Sequence, residues 1–518
     1  AEGQGQYGTA HWLDPKRFPQ VFSVAEVKDL AKLREGGIVL GQSKDGRHIY
    51  YTGEDTHAFV IGATRSGKSR TVVLPTIGLL GMAGESMVTV DPKAELYTYT
   101  YPFLEAQGYE VITIDFDSPG RSNRYNFLQP VIDAVNAENV ALAVTKARDI
   151  SAMLVQDSGH TDPLWPNGQR SVLTASILAV VVDNQRHPEF QNLANAQQFM
   201  VNMCKPFGKY GDIPLAKYLQ NCPPEHPARI AMGTAEIAPS KMRGSFYTSA
   251  ATTLDLFTDP AIHAMTSETD WDIYATGQRK RAIFIILPDE RSTYYPLAAL
   301  FVYQHYQTLV GVSKQHGNRL PHRVNFNCDE FGNFVKIPDF DKLITVGGGR
   351  GIRFNLLLQD VNQLDEKYGD KLGKVIRSNC ETWIYLQSDD EGTLKELSGK
   401  LGKYTIKTPS LSGSTGGNLS SSYNLTGRDL LDAAEIKKIN RPYQLVTSRN
   451  DPAILYAPDV SKTIWNELFG LGSKEHNRKL IIARSSARTE RTPDVHYWKI
   501  WDLYMKAIQM AQSNEREK

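Results

Sequence analysis

The 518-residue chain contains 41% hydrophobic and 22% charged residues, and its formal net charge is +1. This length exceeds what one hydrophobic core usually organises, so we expect two or more structural units. The balanced charge excludes a uniformly basic nucleic-acid binder but permits a local basic surface.

The four cysteines are widely spaced and form no CxxC pair, which argues against a disulfide framework or a zinc knuckle and fits a reducing compartment. No apolar run approaches the roughly 18 residues that a membrane helix needs. The opening "AEGQGQYGTAHW" lacks the pattern of a secretion signal. We therefore expect the chain as given to be soluble.

Short apolar runs predict a series of β-strands, several of them continuously apolar. Longer segments with helical spacing, such as 173–182 and 297–309, separate these runs. Continuous apolar strands that alternate with helices are typical of a mainly parallel sheet covered on both faces, so the predicted fold class is α/β. The predicted strands are 57–61, 86–90, 110–114, 281–287, 323–328, 353–358, 382–387 and 443–447.

Three segments depart from this alternation. Between about 184 and 262 the strand signals vanish while helical spacing continues, which predicts an inserted all-α domain. Residues 408–424, "TPSLSGSTGGNLSSSYN", are rich in Ser, Gly and Thr and predict a mobile loop or flexible hairpin. Residues 474–491 are rich in basic side chains and are interpreted as a solvated face or tail.

Residues 62–69, "GATRSGKS", match the P-loop pattern directly after a predicted strand. Glycines let backbone N–H groups turn inward around a β-phosphate, Lys68 reaches the β- and γ-phosphates, and Ser69 ligates Mg²⁺. The alternative is a strand-to-helix turn that contains Gly and Lys by chance. The nucleotide-binding residues predicted by the motif are Gly62, Ala63, Thr64, Arg65, Ser66, Gly67, Lys68 and Ser69.

Asp329 and Glu330 follow the predicted strand 323–328 in "RVNFNCDEFGNF". Asp329 is a candidate Mg²⁺ ligand, and Glu330 is a candidate for polarising the attacking water. The alternative is a helix N-cap with a favourable charge. Gln359, at the end of the next strand, is either a sensor of the γ-phosphate or a plain capping or turn residue.

Arginines near "GGGRGIRF", residues 347–354, are candidates for stabilising transition-state charge across a subunit interface. Sequence does not separate Arg350 from Arg353, and Arg428 in "TGRDLL" is a third candidate. The alternative is a surface loop with solvated arginines.

These motifs, in this order, resemble the type IV secretion coupling proteins of the TraG type, the hexameric P-loop ATPases of bacterial conjugation. The similarity covers most of the chain. Besides the P-loop it rests on "GTAHWLDPKRF" (8–18), "VDPKAELY" (90–97), "DFDSPGRSNRYNFLQP" (115–130), "DPLWPNGQRSVLTASIL" (162–178), "CDEFGNFVKIPDFDKLI" (328–344), "GIRFNLLLQDVNQLDEKYG" (351–369) and "SYNLTGRDLLDAAEI" (422–436).

The resemblance implies a RecA-like motor domain, residues 38–183 and 263–518, with an all-α substrate-recognition domain inserted at 184–262. Residues 1–37 resemble the segment that follows the family's membrane anchor, so we expect the full-length protein at the cytoplasmic face of the bacterial membrane.

The resemblance also implies an ATPase that uses ATP and Mg²⁺ and assembles as a homohexamer. Its implied partners are a relaxase-bound single DNA strand or protein cargo and the subunits of a secretion channel. One alternative is a nucleotide-regulated docking platform that selects cargo without pumping DNA. Another is a DNA-packaging or partition pump, and a small-molecule kinase is disfavoured because no second-substrate lid motif follows the core.

Overall fold

The structure is a computed structural model that describes residues 5–156, 162–413 and 419–514. Within these ranges the strands are β1 (Ser23–Glu26), β2 (Val39–Gln42), β3 (His48–Tyr51), β4 (His57–Gly62), β5 (Ser86–Asp91), β6 (Glu110–Asp115), β7 (Arg281–Ile286), β8 (Val324–Cys328), β9 (Ile352–Leu358), β10 (Cys380–Gln387), β11 (Lys403–Gly413), β12 (Leu419–Asp429), β13 (Tyr443–Thr447) and β14 (Ala453–Tyr456).

The helices of the same ranges are α1 (Phe18–Val21), α2 (Leu74–Ala83), α3 (Glu95–Ala106), α4 (Gln129–Asn136), α5 (Val140–Leu154), α6 (Leu164–Asp183), α7 (Leu193–Met203), α8 (Pro214–Asn221), α9 (Pro227–Glu236), α10 (Ser240–Thr253), α11 (Pro260–Met265), α12 (Tyr295–Gln315), α13 (Phe340–Gly347), α14 (Asn362–Ser378), α15 (Glu391–Leu401), α16 (Ala433–Ile436), α17 (Ile464–Leu468), α18 (Lys474–Ser485) and α19 (Ile500–Asn514). Within these ranges, no helix combines the length and the apolar composition needed to cross a bilayer.

A nine-stranded sheet with the order β14-β13-β10-β4-β9-β8-β5-β7-β6 lies at the centre of the molecule. The strands from β10 to β6 are parallel, whereas β13 and β14 are antiparallel. Every predicted strand is present in this sheet. Continuous apolar runs such as 57–61 are buried on both faces, because helices cover both sides of a parallel sheet. The α/β class is confirmed.

The helices α4 to α11 fall between β6 and β7 and form one helical unit. This unit begins well before the predicted boundary at 184, because α5 and α6 pack against each other and α6 packs against α9 and α10. The apolar spacing of residues 173–182 predicts a helix that covers the sheet, whereas in the structure these residues belong to α6 of the helical unit. An apolar pattern predicts that a helix is buried, but it does not identify the partner.

The N-terminal boundary at residue 37 also differs from the structure. Strand β1, which precedes it, pairs antiparallel with β3, and β3 pairs with β2 in a separate three-stranded sheet. Residues on both sides of the predicted boundary therefore belong to one small sheet. Strand β2 contacts β14, which attaches this sheet to the central one.

Strands β11 and β12 form an antiparallel hairpin outside the central sheet. The segment 408–424 was predicted as a mobile loop or flexible hairpin, and its described part is this hairpin. Residues 414–418 lie outside the described residues. Thr9 forms an isolated bridge with Tyr404, so the N-terminal segment lies against the base of the hairpin.

The C-terminal residues connect the sheet to the helical unit. We call residues 486–499 the strap. At its start Arg488 forms an ion pair of 2.6 Å with the buried Asp115 at the end of β6. At its end the Trp498 ring stacks on Phe199 of α7, and α19 then packs on α7 and α8. The predicted motor segment 263–518 therefore contains a part that contacts the helical unit. Within the basic run, no residue of α18 is buried, as expected of a solvated face, whereas Arg488 pairs with the buried Asp115.

Candidate nucleotide-binding site

The P-loop connects the buried strand β4 to a π-helical turn, Ser69–Val73, that continues into α2. Arg65 and Gly67 have φ angles of 65° and 96°, in the left-handed region. A Cβ on Gly62 would collide with the side chains of Ser66 and Lys68. Such turns point consecutive backbone N–H groups toward one space, which is how a loop holds an anion.

Lys68 and Ser69 lie at the centre of this loop. The Lys68 side chain is 6% exposed and its ammonium donates to the Gly62 carbonyl at 2.5 Å. The Ser69 hydroxyl donates to Oδ2 of Asp329 at 3.1 Å. Asp329 follows β8, which β9 separates from β4 in the sheet. Sheet order therefore brings two motifs that lie far apart in sequence into contact.

Two buried carboxylates lie side by side at this sheet edge. Burial, and next the nearby Glu330, raise the pKa of Asp329 to about 6. Burial is also the main cause that raises the pKa of Asp91, at the end of β5, to about 7, and Asp329 adds to it. Buried carboxylates raise each other's pKa when no cation compensates them. A hydroxyl and a carboxylate at hydrogen-bond distance, with a second carboxylate nearby, fit Mg²⁺, which prefers oxygen ligands.

Glu330 has a φ of 54° and a partly exposed side chain. Its backbone N–H donates to Oδ1 of Asp329 at 3.0 Å. Although Glu330 occupies the N-cap position of a short 3-10 turn, its side chain makes no capping hydrogen bond. The capping alternative for Glu330 therefore has no contact to support it.

Gln359 follows the last residue of β9, the strand between β4 and β8. This position lies at the carboxyl edge of the sheet, between the P-loop and Asp329. Its backbone N–H donates to Oε1 of Gln363 at 2.9 Å. The role of its side chain as a γ-phosphate sensor remains a prediction.

A cavity of about 490 Å³ contains these groups. Its walls come from the P-loop, from Asp329 and Glu330, and from the start of α3. A larger cavity of about 630 Å³ lies in the helical unit between α7, α8 and α10 and has mainly apolar and small side chains around it. Because the larger cavity lacks a phosphate-binding loop, we place the nucleotide site in the smaller one.

The family described as "Type IV secretory system Conjugative DNA transfer" matches residues 20–465. The chain belongs to this family. Its similarity to the VirD4 protein of Rhizobium radiobacter is 26% identity over 78% of this chain and 56% of VirD4. Its similarity to the conjugal transfer protein TraG of Escherichia coli is 23% identity over 84% of this chain and 72% of TraG. The chain spans about three-fifths of the length of the VirD4 relatives.

Solved structures of a coupling protein share the fold. The bacterial conjugative coupling protein TrwBdeltaN70 matches with a TM-score of 0.60 and 16% identity, over 89% of this chain and 97% of the TrwBdeltaN70 chain. TrwB in complex with ADP and Mg²⁺ matches with a TM-score of 0.58 and 15% identity, over 88% of this chain and 97% of that one. The resemblance to the coupling proteins is thus confirmed.

The structure does not bring Arg353 to the nucleotide site. Arg353 is 2% exposed and lies at the amino end of β9, opposite the P-loop edge. Its guanidinium pairs with the Glu85 carboxylate at 2.7 Å and donates to Asn325 and the Gly36 carbonyl. Because these partners belong to its own chain and enclose it, Arg353 cannot reach a neighbouring subunit, which contradicts the role in trans.

Arg350 and Arg428 retain some exposure. Arg350 is also at the amino edge of the sheet and donates to Ser313 at 3.1 Å. Arg428 lies on β12, is about half exposed and pairs with Glu435 at 2.7 Å. Their roles across a subunit interface remain predictions.

Several residues of the cavity escaped the sequence analysis. Asp91 ends an apolar strand within "VDPKAELY", so its position carried a local signal. Arg70 pairs with Asp459 through two hydrogen bonds of 2.6 and 2.8 Å. Burial opposes the ionised form of Asp459, but Arg70 and Ser461 hold its pKa below the usual range. Arg441 contacts the P-loop itself.

Proposed function

We propose that this chain is the ATP-hydrolysing part of a coupling protein of conjugative DNA transfer. It receives relaxase-bound single-stranded DNA or protein cargo and delivers it to the secretion channel. The main evidence for the proposal is the contact between the Ser69 hydroxyl of the P-loop and the Asp329 carboxylate. Membership of the conjugative transfer family and the TrwB structures with ADP and Mg²⁺ support it.

Each residue of the site has one task in this proposal. Backbone N–H groups of the P-loop hold the β-phosphate, and Lys68 compensates charge on the β- and γ-phosphates. Ser69 and Asp329 would hold Mg²⁺, and the ion would supply positive charge that offsets the negative charge of the phosphates. The Glu330 carboxylate accepts a hydrogen bond from the attacking water, and Gln359 contacts the γ-phosphate.

The assembled protein is a homohexamer in this proposal, with a nucleotide between neighbouring subunits and Arg350 or Arg428 acting in trans. The full-length protein is anchored at the cytoplasmic face of the bacterial membrane. The helical unit meets the cargo, and secretion-channel subunits receive it. DNA held through phosphate contacts binds more weakly as salt increases, and a flat salt profile would contradict a charged DNA path.

Two substitutions separate nucleotide binding from hydrolysis. Lys68→Ala removes the charge that meets the phosphates, so ATP affinity and turnover both fall, with turnover reduced about 100-fold or more. Glu330→Gln keeps the shape of the site but removes the acceptor of the water proton, so ATP affinity stays while turnover falls about 100-fold. Calorimetric titration with ATP and Mg²⁺ measures affinity, and phosphate release with and without single-stranded DNA measures turnover.

Arg449→Ala is the matched control, because this arginine is 83% exposed and pairs with Glu381 at the surface, away from the cavity. It leaves both quantities unchanged. Hydrolysis by Lys68→Ala at the rate of the parent protein would refute the site. Stimulation of turnover by single-stranded DNA is expected of a DNA-transfer motor, and its absence would favour the docking platform.

A further inference from the structure

Arg441 contacts the P-loop from a distant part of its own chain. It lies two residues before β13, the antiparallel neighbour of β10. Its Nε donates to the carbonyl oxygen of Ser66 at 2.8 Å, and its Nη2 donates to the carbonyl oxygen of Arg65. A Cβ built on Gly67 would lie 3.1 Å from the guanidinium carbon. The planar guanidinium thus holds two successive peptide groups of the loop.

Because peptide groups are planar, the two contacts with Arg441 also fix the directions of backbone N–H groups in the P-loop. The carbonyl of one residue and the N–H of the next point in opposite directions across a rigid plane. Fixing the Ser66 carbonyl therefore directs the Gly67 N–H away from Arg441. Fixing the Arg65 carbonyl directs the Ser66 N–H toward the Ala63 carbonyl, which accepts it at 3.0 Å and closes the turn.

One residue of the P-loop has an unfavourable backbone conformation, which the contacts with Arg441 stabilise. Arg65 adopts a φ of 65°, a conformation that costs free energy for a residue with a Cβ. The carbonyl of this residue is one of the two that Arg441 holds. A hydrogen bond from a charged donor is stronger than one between neutral groups. Arg441 therefore stabilises the strained loop at its least favourable residue.

We propose that Arg441 is a positioning residue that preorganises the P-loop for the β-phosphate of a nucleotide before the nucleotide binds. The proposal rests on the proposed function of the site. A loop whose donors are already oriented loses less conformational freedom on binding, so affinity increases. Because the β-phosphate is common to ADP and ATP, Arg441 strengthens the binding of both to the same extent.

The test uses Arg441→Ala, with Arg441→Lys as a second variant and Arg449→Ala as the control. Hydrogen–deuterium exchange in the nucleotide-free protein measures the amides of residues 63–69. Titration calorimetry measures the affinities for ADP and for a non-hydrolysable ATP analogue with Mg²⁺. Phosphate release at saturating ATP gives kcat, and thermal unfolding without nucleotide confirms that each variant is folded.

In Arg441→Ala we expect faster exchange in residues 63–69 and affinities for both nucleotides weakened by the same factor, about tenfold. We expect kcat to stay within about twofold, since the groups at the γ-phosphate are unchanged. Arg441→Lys is intermediate, because an ammonium cannot hold two carbonyls in the plane of a guanidinium. Arg449→Ala matches the parent protein in every measurement.

Unchanged exchange in residues 63–69 of a folded Arg441→Ala or Arg441→Lys would overturn the proposal. A fall in kcat with an unchanged affinity for ADP would also overturn it, because it would assign Arg441 to the transition state. The exchange measurement needs no nucleotide. Failure of the proposed function would instead appear as a parent protein that binds neither ADP nor the ATP analogue.

Discussion

Arg353 illustrates at the residue scale how burial decides between two roles. Its guanidinium is enclosed by Glu85, Asn325 and backbone carbonyls. Burial lowers its pKa to about 10, and the Glu85 carboxylate opposes this decrease, so Arg353 remains charged at neutral pH. Removing one partner of a buried ion pair is strongly destabilising, because the other charge then stays buried without compensation.

Arg353→Met is therefore expected to destabilise the protein by about 3 kcal/mol, because it leaves the Glu85 carboxylate without its nearest cation. Urea unfolding measures the change. The control is Arg350→Met, which removes hydrogen bonds to Ser313 and Asn318 at a partly exposed site and costs about 1 kcal/mol or less. If Arg353→Met is as stable as the parent protein but loses most of its ATP hydrolysis, the role of Arg353 across a subunit interface would be supported again.

At the same scale, the sequence predicts site residues when the signal is local. Lys68, Ser69, Asp329 and Glu330 each follow an apolar strand with a fixed spacing, so the end of the strand indicates the edge of the sheet. Arg441 lies 375 residues from the Ser66 carbonyl that it contacts. No spacing or composition near Arg441 marks it, because its position depends on strand order.

At the element scale, the parallel strands were the most predictable part of the fold. Both faces of β4, β5 and β9 are buried, which requires an apolar residue at nearly every position. The edge strand β14 has only four residues, of which the first and third are buried, and this short pattern did not predict a strand. The helical unit was misjudged at its start because α4 to α6 bury apolar residues as the helices that cover the sheet do.

His57, at the start of β4, joins three elements. Its Nδ1 accepts the N–H of Phe354 on β9 at 2.9 Å, which places the ring proton on Nε2. Nε2 then donates to the Ile344 carbonyl of α13 at 2.6 Å. Burial lowers the pKa of His57 to about 4. The neutral ring therefore satisfies both neighbours, and protonation of Nδ1 would break the contact with β9.

This arrangement predicts a pH dependence of the free energy of unfolding. Between a pKa of about 6.5 in the unfolded chain and about 4 in the folded one, the unfolded state binds more protons, so stability falls as the pH decreases. His57 alone contributes a loss of about 2 kcal/mol between pH 7 and pH 5.

Urea unfolding at pH 7 and pH 5 tests this in the parent protein and in His57→Gln. The substitution is destabilising at pH 7 because it removes a ring that fits both neighbours. The parent then loses about 2 kcal/mol more than the variant on going to pH 5. The other buried histidines respond equally to pH in both proteins. The difference between the two pH effects on the free energy of unfolding therefore comes from His57. An identical pH effect in the two proteins would contradict the prediction.

At the scale of the whole molecule, the strap holds the helical unit against the sheet. Arg488 lies over the Tyr97 ring at 4.8 Å as well as beside Asp115. At the other end, Asn195 donates to the His496 carbonyl at 2.9 Å and accepts the Trp498 N–H at 2.8 Å. Composition predicted only a basic surface here, because contacts between chain ends depend on the complete fold.

The strap is therefore expected to open when either end is released. Arg488→Met leaves the Asp115 carboxylate buried without its cation, and Trp498→Ala removes the ring stacked on Phe199. Each is expected to speed tryptic cleavage after Arg491 and Lys499 about tenfold or more, because a loss of roughly 1.4 kcal/mol in local stability increases the open population tenfold. Arg449→Met, on the surface, leaves the cleavage rate unchanged. If Trp498→Ala is cleaved no faster than the parent protein, the stacking of the Trp498 ring on Phe199 does not hold the strap closed, which would contradict the prediction for this end.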